Sequence, residues 1–139
     1  MTIFIINGPN LNLTGKRQTN IYGTTGFEEF IPQLQNRFPD VEIIYKQSNH
    51  EGQLIDWLQE ADTQADGIIL NAGAYTHTSI AIADAIAAIS TPVVEVHISD
   101  IKHREPFRQH SYLTPVCKHT IIGHGLEGYG EAIKFLQTY

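Results

Sequence analysis

The sequence predicts an α/β fold in three layers, with a five-stranded parallel sheet carrying helices on both faces. Two observations carry that prediction. Apolar runs recur along the chain, and each ends abruptly in polar residues: Ile3-Phe4-Ile5-Ile6 into Asn7-Gly8-Pro9-Asn10, Gly67-Ile68-Ile69-Leu70 into Asn71-Ala72-Gly73, and Val93-Val94-Glu95-Val96 into His97-Ile98-Ser99. Strands buried on both faces of a parallel sheet read as near-continuous β-branched runs, and folds of this class place their chemistry just beyond the strand C-termini. Between the runs the apolar spacing switches to the helical three-and-four pattern. At 139 residues and 42% hydrophobic, the chain fits a single catalytic-sized domain spanning 1–139.

The elements follow in order. The first strand occupies residues 3–6. The first helix begins at Gly26, where Phe27, Phe30, Ile31 and Leu34 recur at helical spacing. Thr25 followed by Glu28 resembles a capping box. Pro32 removes the hydrogen bond to the Glu28 carbonyl, which predicts a kink or a late helix start. A second strand fits 41–45, and a second helix fits 51–61 with Leu54, Ile55, Trp57 and Leu58 as its stripe. After the third strand comes a helix over 79–89, rich in Ala and Ile, which stops before Thr91-Pro92 as the restriction ahead of proline requires. Its near-total apolarity predicts burial at a subunit interface, because a solvent-facing helix shows a polar face. Asp84 is its one acidic interruption. A last strand, 119–122, leads through Gly123-His124-Gly125 into a C-terminal helix carrying Ala132, Ile133, Phe135 and Leu136. Alternating strands and helices with right-handed crossovers leave few topologies, and the flavodoxin-like order 2-1-3-4-5 is the expectation.

Composition excludes several classes. A net charge of -6 and a pI near 5.5 lack the basic footprint of a nucleic-acid binder, so the expected partner is a small molecule. Cys117 is the only cysteine, which rules out an intrachain disulfide and points to a reducing compartment, with the thiol packed near the last strand. No charged leader precedes an apolar stretch, and no apolar run reaches the ~18–20 residues of a membrane span. A cytoplasmic protein without membrane partners is expected. Neither a Gly-x-Gly-x-x-Gly nor a Gly-Lys-Ser/Thr pattern follows the first strand, and Pro9 removes a backbone donor there. The strand does not end in paired acids, as a phospho-accepting receiver would require. Seven histidines show neither His-x-His nor zincin spacing, so no metal is expected.

The chemistry-bearing residues fall at the strand ends. Between Asn7 and Thr24 runs a long connection, read as a flap over about 11–24, holding Arg17 and Tyr22. An arginine beside a phenol lowers a tyrosine pKa that starts near 10, and a shift of roughly three units corresponds to about 4 kcal/mol. The alternative is ordinary: a solvated arginine and a tyrosine packed on its neighbours. His97 ends the most hydrophobic strand, where it is either a satisfied core residue or a site residue, and the basic stretch Lys102-His103-Arg104-Glu105-Pro106-Phe107-Arg108-Gln109-His110 gives it a setting suited to a small carboxylate. In the third strand-to-helix turn a Thr/Ser cap accounts for Thr78 and Ser79 but leaves Asn71 and His77 for a ligand.

Together these residues resemble type II 3-dehydroquinate dehydratase, a small lyase of the shikimate pathway and of quinate breakdown. The resemblance covers essentially the whole chain: Asn7-Gly8-Pro9-Asn10, Arg17, Ile21-Tyr22-Gly23, Gln47-Ser48-Asn49-His50-Glu51-Gly52, the turn from Asn71 to Ser79, Glu95-Val96-His97-Ile98-Ser99, Arg104, Arg108, His110-Ser111-Tyr112 and Gly123. It implies that Tyr22, as phenolate, removes the proton beside the ketone, that Arg17 lowers its pKa and stabilises the transition state, and that Asn10 holds a water against the enolate oxygen. His97 would protonate the departing hydroxyl in an anti elimination, with no cofactor. It further implies that Asn71 and the Ile98 and Ser99 amides hold the carboxylate, that His77 and Arg108 grip the ring hydroxyls, and that Asp84 reaches a neighbouring subunit's site. The implied assembly is a dodecamer built from trimers.

One departure stands out. The flap reads Thr14-Gly15-Lys16-Arg17-Gln18-Thr19 where the family commonly has Leu-Gly-x-Arg-Glu-Pro, which should loosen the closed flap. Rival readings are a small-acid sensor on the same fold, a different enolising or hydrolytic enzyme on the same rim, and a purely structural assembling protein. The last leaves Arg17, Tyr22 and His97 without a purpose.

Overall fold

Strands Thr2–Asn7 (β1), Glu42–Gln47 (β2), Gly67–Asn71 (β3), Val93–His97 (β4) and His119–Ile122 (β5) form one all-parallel sheet in the order β2-β1-β3-β4-β5. The computed structural model describes residues 1–16 and 24–139. Helices Phe27–Arg37 (α1), Glu51–Gln64 (α2), Ile80–Ala88 (α3) and Glu127–Thr138 (α4) provide the outer layers. The expected topology is therefore observed.

Alternation along the strands divides the interior in two. Ile3, Ile5, Ile69, Val94 and Val96 pack under α1 and α4, against Phe30, Leu34, Tyr129 and Ile133. Phe4, Ile6, Ile68, Leu70 and Val93 face the other way, under Leu54 and Leu58 of α2 and Ile82 and Ile86 of α3. Because both faces are covered, β1, β3 and β4 show the unbroken apolar runs that mark them in sequence.

Several boundaries differ from expectation, each for a physical reason. The N-cap of α1 is Gly26, extended at φ -87°, and no side chain caps it, so the Thr25/Glu28 capping box does not form. Nor does Pro32 delay the helix. α1 starts at Phe27 and runs through the proline, with Phe27, Phe30 and Leu34 buried on its inner face. The second strand starts at Glu42, because Val41 is buried within a turn whose N–H donates to the Phe38 carbonyl. The connection after β1 is not irregular from its outset: Leu11–Leu13 is a 3-10 turn, and Thr14 is buried. Ser79 caps α3 as expected, its Oγ accepting from the Ile82 N–H at 2.9 Å.

Candidate active site

Parallel strands all end at one edge, and β1, β3 and β4 end there in Asn7, Asn71 and His97. A cleft of about 170 Å³ opens over this edge. Alternation decides which layer each side chain faces. Asn7 and Asn71 follow Ile5 and Ile69 on the α1/α4 side, and Glu95 and His97 follow Val93 on the α2/α3 side. The cleft thus receives groups from both layers.

His97 Nε2 lies 2.5 Å from Glu95 Oε2, two residues back on the same strand face. The carboxylate is completely buried. Its second oxygen accepts from Thr114 Oγ1 at 2.6 Å and from Thr120 Oγ1, in register across β5, at 3.0 Å. Ser111 Oγ donates to Oε2 at 2.7 Å. Burial by itself raises the Glu95 pKa, but the hydrogen bond and charge of His97 and the Thr114 and Ser111 hydroxyls outweigh it and bring the carboxyl down to about 2. Glu95 is therefore a fixed anion that locks the imidazole by Nε2. Nδ1 carries no hydrogen bond among the described residues, which leaves it as the nitrogen able to exchange a proton in the cleft.

Asn71 ends β3, the strand next to β4, and lines the same cleft. Its Oδ1 accepts from the Gly73 N–H at 3.2 Å and its Nδ2 donates to Tyr129 Oη at 3.1 Å. Asn10 is the one non-glycine among the described residues with positive φ, at 68°. Asn and Asp tolerate this left-handed conformation best, and its N–H is held by Asn49 Oδ1 at 3.0 Å. Gln47 Nε2 donates to the same oxygen at 3.2 Å and to the Gly8 carbonyl at 3.1 Å. His77 Nδ1 meets the His110 carbonyl at 2.7 Å, so it carries the proton and Nε2 is left as an acceptor. Burial lowers the His77 pKa, and the nearby His97 and Arg108 lower it further against the His110 carbonyl, which favours the neutral ring. Arg104 Nη1 donates to Ser99 Oγ at 3.2 Å, and Arg108 Nε donates to Glu105 Oε2 at 3.0 Å.

A neutral imidazole acceptor, an asparagine amide, two arginines and a carboxylate-anchored histidine around one small cleft fit a polyhydroxylated carboxylic acid. The sequence profile described as Dehydroquinase class II matches residues 1–137. The chain belongs to the class II dehydroquinase family. A 3-dehydroquinate dehydratase of Exiguobacterium sp. is 54% identical over 137 residues, covering 98% of this chain and 94% of the relative. One from Bacillus pumilus is 52% identical over 135 residues, covering 95% and 91%. The solved type II dehydroquinase of Butyrivibrio crossotus superposes with a TM-score of 0.95 at 47% identity, covering 99% of this chain and 97% of that one.

Seven residues singled out in the sequence line the cleft: Asn10, Asn71, His77, His97, Ile98, Ser99 and Arg108. Arg17 and Tyr22 lie outside the described residues. Asp84 is exposed on α3 and does not line this cleft. Sequence reasoning gave Glu95 and Asn49, behind Asn10, no role of their own, and Arg104 only a share in the basic stretch suited to a carboxylate. Cys117 is half-buried against the α2/α3 core rather than fully enclosed, and burial pushes its thiol up to about 12, as inert packing requires. Among the described residues no cluster of three or more His, Cys, Asp or Glu is arranged to hold a metal, and no helix is long and apolar enough to cross a membrane.

Proposed function

We propose that this chain is a 3-dehydroquinate dehydratase that eliminates water in the anti sense through an enolate, with Tyr22 as base and His97 as acid. The observation that carries the reading is the buried Glu95–His97 pair, which leaves a single imidazole nitrogen at the cleft. Tyr22 and Arg17, outside the described residues, take the roles that the family resemblance implies. The Tyr22 phenolate removes the proton on the carbon beside the ketone, and the electron pair moves onto the carbonyl oxygen. Asn10 holds a water against that oxygen, so charge develops beside a donor rather than on a cofactor. The pair then returns to form the carbon–carbon double bond as the bond to the β-hydroxyl breaks, and His97 Nδ1 delivers the proton that lets it leave as water.

Asn71 with the Ile98 and Ser99 amides holds the substrate carboxylate, and His77 and Arg108 bind the ring hydroxyls. His77 suits this role because its neutral Nε2 accepts a hydroxyl proton. The reaction serves the shikimate pathway or quinate breakdown, in the cytoplasm, without a metal or cofactor.

The assembly reading rests on α3. Ile80 is 59% exposed, and Asp84, four residues on, shares its face and is exposed as well. An apolar residue and a carboxylate on one uncovered helix face fit contact with a second copy into which Asp84 reaches, as in a dodecamer of trimers. Light scattering on the purified protein tests this, and a monomer at micromolar concentration would refute it.

For the reaction, purified protein is mixed with 3-dehydroquinate and the enone absorbance of 3-dehydroshikimate is followed, with and without chelator. A chelator-resistant rise that Tyr22→Phe and His97→Ala each abolish is the expected result. Substrate binding without any rise would instead favour a sensor.

A further inference from the structure

We infer that Tyr129, on the C-terminal helix and outside the cleft, is a positioning residue that fixes Asn71 as a hydrogen-bond donor toward the substrate's anionic group. The inference rests on the assignment of Asn71 to the carboxylate.

Tyr129 is completely buried, and its hydroxyl is the centre of a network with a single allowed direction. At one end the Gly73 backbone N–H donates to Asn71 Oδ1 at 3.2 Å. A backbone N–H has no acceptor form, so Asn71 must turn its carbonyl toward Gly73 and its amide nitrogen toward Tyr129. Asn71 Nδ2 donates to Tyr129 Oη at 3.1 Å, and the Tyr129 hydroxyl spends its only proton on Asn7 Oδ1 at 2.7 Å. Asn7 Nδ2 then donates to Tyr45 Oη at 3.2 Å. Reversing Asn71 would set its amide against the Gly73 N–H, two donors, and reversing Asn7 would leave the buried Tyr129 proton without an acceptor, where an unpaired polar group costs far more than a weak bond gains.

The consequence for the cleft follows from counting protons. An asparagine amide nitrogen has two. One is committed to Tyr129, and the other belongs to a side chain that lines the cleft. A ligand therefore meets a donor at Asn71, which suits an oxygen anion. Were the amide free to flip, the same position would present a carbonyl and repel it. Burial raises the Tyr129 pKa well above its ordinary value, so the hydroxyl keeps its proton, and with it the network's direction, across the working pH range.

A double-mutant cycle tests the inference, with KM and kcat for 3-dehydroquinate measured on Tyr129→Phe, Asn71→Ala and the double variant, and folding followed by circular dichroism. Tyr129→Phe is expected to raise KM about tenfold with kcat changed much less, and to cause no further rise in the Asn71→Ala background. Effects that multiply in the double variant would overturn the inference alone, since a merely structural role of Tyr129 would persist without Asn71. An Asn71→Ala variant with unchanged KM would overturn the carboxylate assignment and the inference with it. If Tyr129→Phe does not fold, Asn7→Ala approaches the same hydroxyl from the other side by removing its acceptor. Its KM effect must likewise vanish in the Asn71→Ala background, and persistence there would refute the role.

Discussion

Glu95 Oε2 and His97 Nε2 meet at 2.5 Å on one face of β4, and neither partner comes from another element. A strand repeats its side-chain direction every two residues, so the pair is built into the local geometry before the fold closes over it. What the fold adds are the hydroxyls of Ser111, Thr114 and Thr120, which satisfy the remaining capacity of a fully buried carboxylate.

Glu95→Gln should therefore lower kcat by about 10²-fold with KM nearly unchanged, because a neutral amide holds the imidazole more weakly and in either tautomer. Steady-state kinetics decides it. A variant with normal kcat would show that His97 needs no anchor.

The same carboxyl gives acid stability a defined window. Its pKa is depressed from 4.5 to about 2, so its contribution to folding is fully present above pH 4.5 and is lost as pH falls toward 2. The shift corresponds to roughly 3 kcal/mol. Urea unfolding at pH 6, 4 and 3 should show the decline in the native protein and a much shallower one in Glu95→Gln.

His77 is expected to favour the neutral ring, with its proton on Nδ1, at neutral pH, because burial and the neighbouring His97 and Arg108 hold its pKa below the ordinary value. Stability from the neutral ring is present at neutral pH and fades as acidification forces the proton on. Nitrogen-15 chemical shifts of the ring read both the tautomer and the titration. An imidazolium at His77 near pH 7 would contradict its acceptor role.

Asn49→Ala should lower kcat about tenfold by freeing the left-handed Asn10 backbone, whereas Asn49→Asp, which keeps an acceptor for the Asn10 N–H, should recover most of it. Equal losses in the two variants would show that the contact is incidental to turnover.

Gly8→Ala is expected to destabilise the protein by more than about 2 kcal/mol, because a Cβ there would stand 2.4 Å from the Ala72 carbonyl oxygen, a backbone atom that cannot swing aside. Thermal unfolding measures it. A near-native midpoint would mean that the first and third strand-end loops separate easily.

The sheet was legible because its strands are buried on both faces and so advertise themselves as apolar runs. The last residues of two of them were not: Asn7 and Asn71 belong to β1 and β3, since the hydrogen-bonding ladder is indifferent to side-chain polarity. Similarly, α2 continues to Gln64 through polar residues that carry no packing signal. The first helix tolerated Pro32 because three buried apolar side chains hold it against the sheet. Within the site, cleft-lining residues clustered in strand-end motifs and could be read, together with a family pattern. Their supports could not. Ser111, Thr114 and Thr120 lie 16 to 25 positions from Glu95, and Tyr129 lies 58 from Asn71. Only the closed fold makes them neighbours, and in sequence no spacing ties any of these hydroxyls to its partner.

Asn7 and Asn71 occupy matching positions on β1 and β3. One tyrosine hydroxyl can bridge them only while those strands keep that alignment. A slip of one position would offer Ile6 or Gly8 in place of Asn7, leaving a hydrophobic interior nearly as well filled but a phenol with nothing to receive its proton. The buried polar cluster thus works as a checksum on strand pairing, by which a mispaired but compact chain is both less stable and left without a fixed Asn71 amide at its cleft.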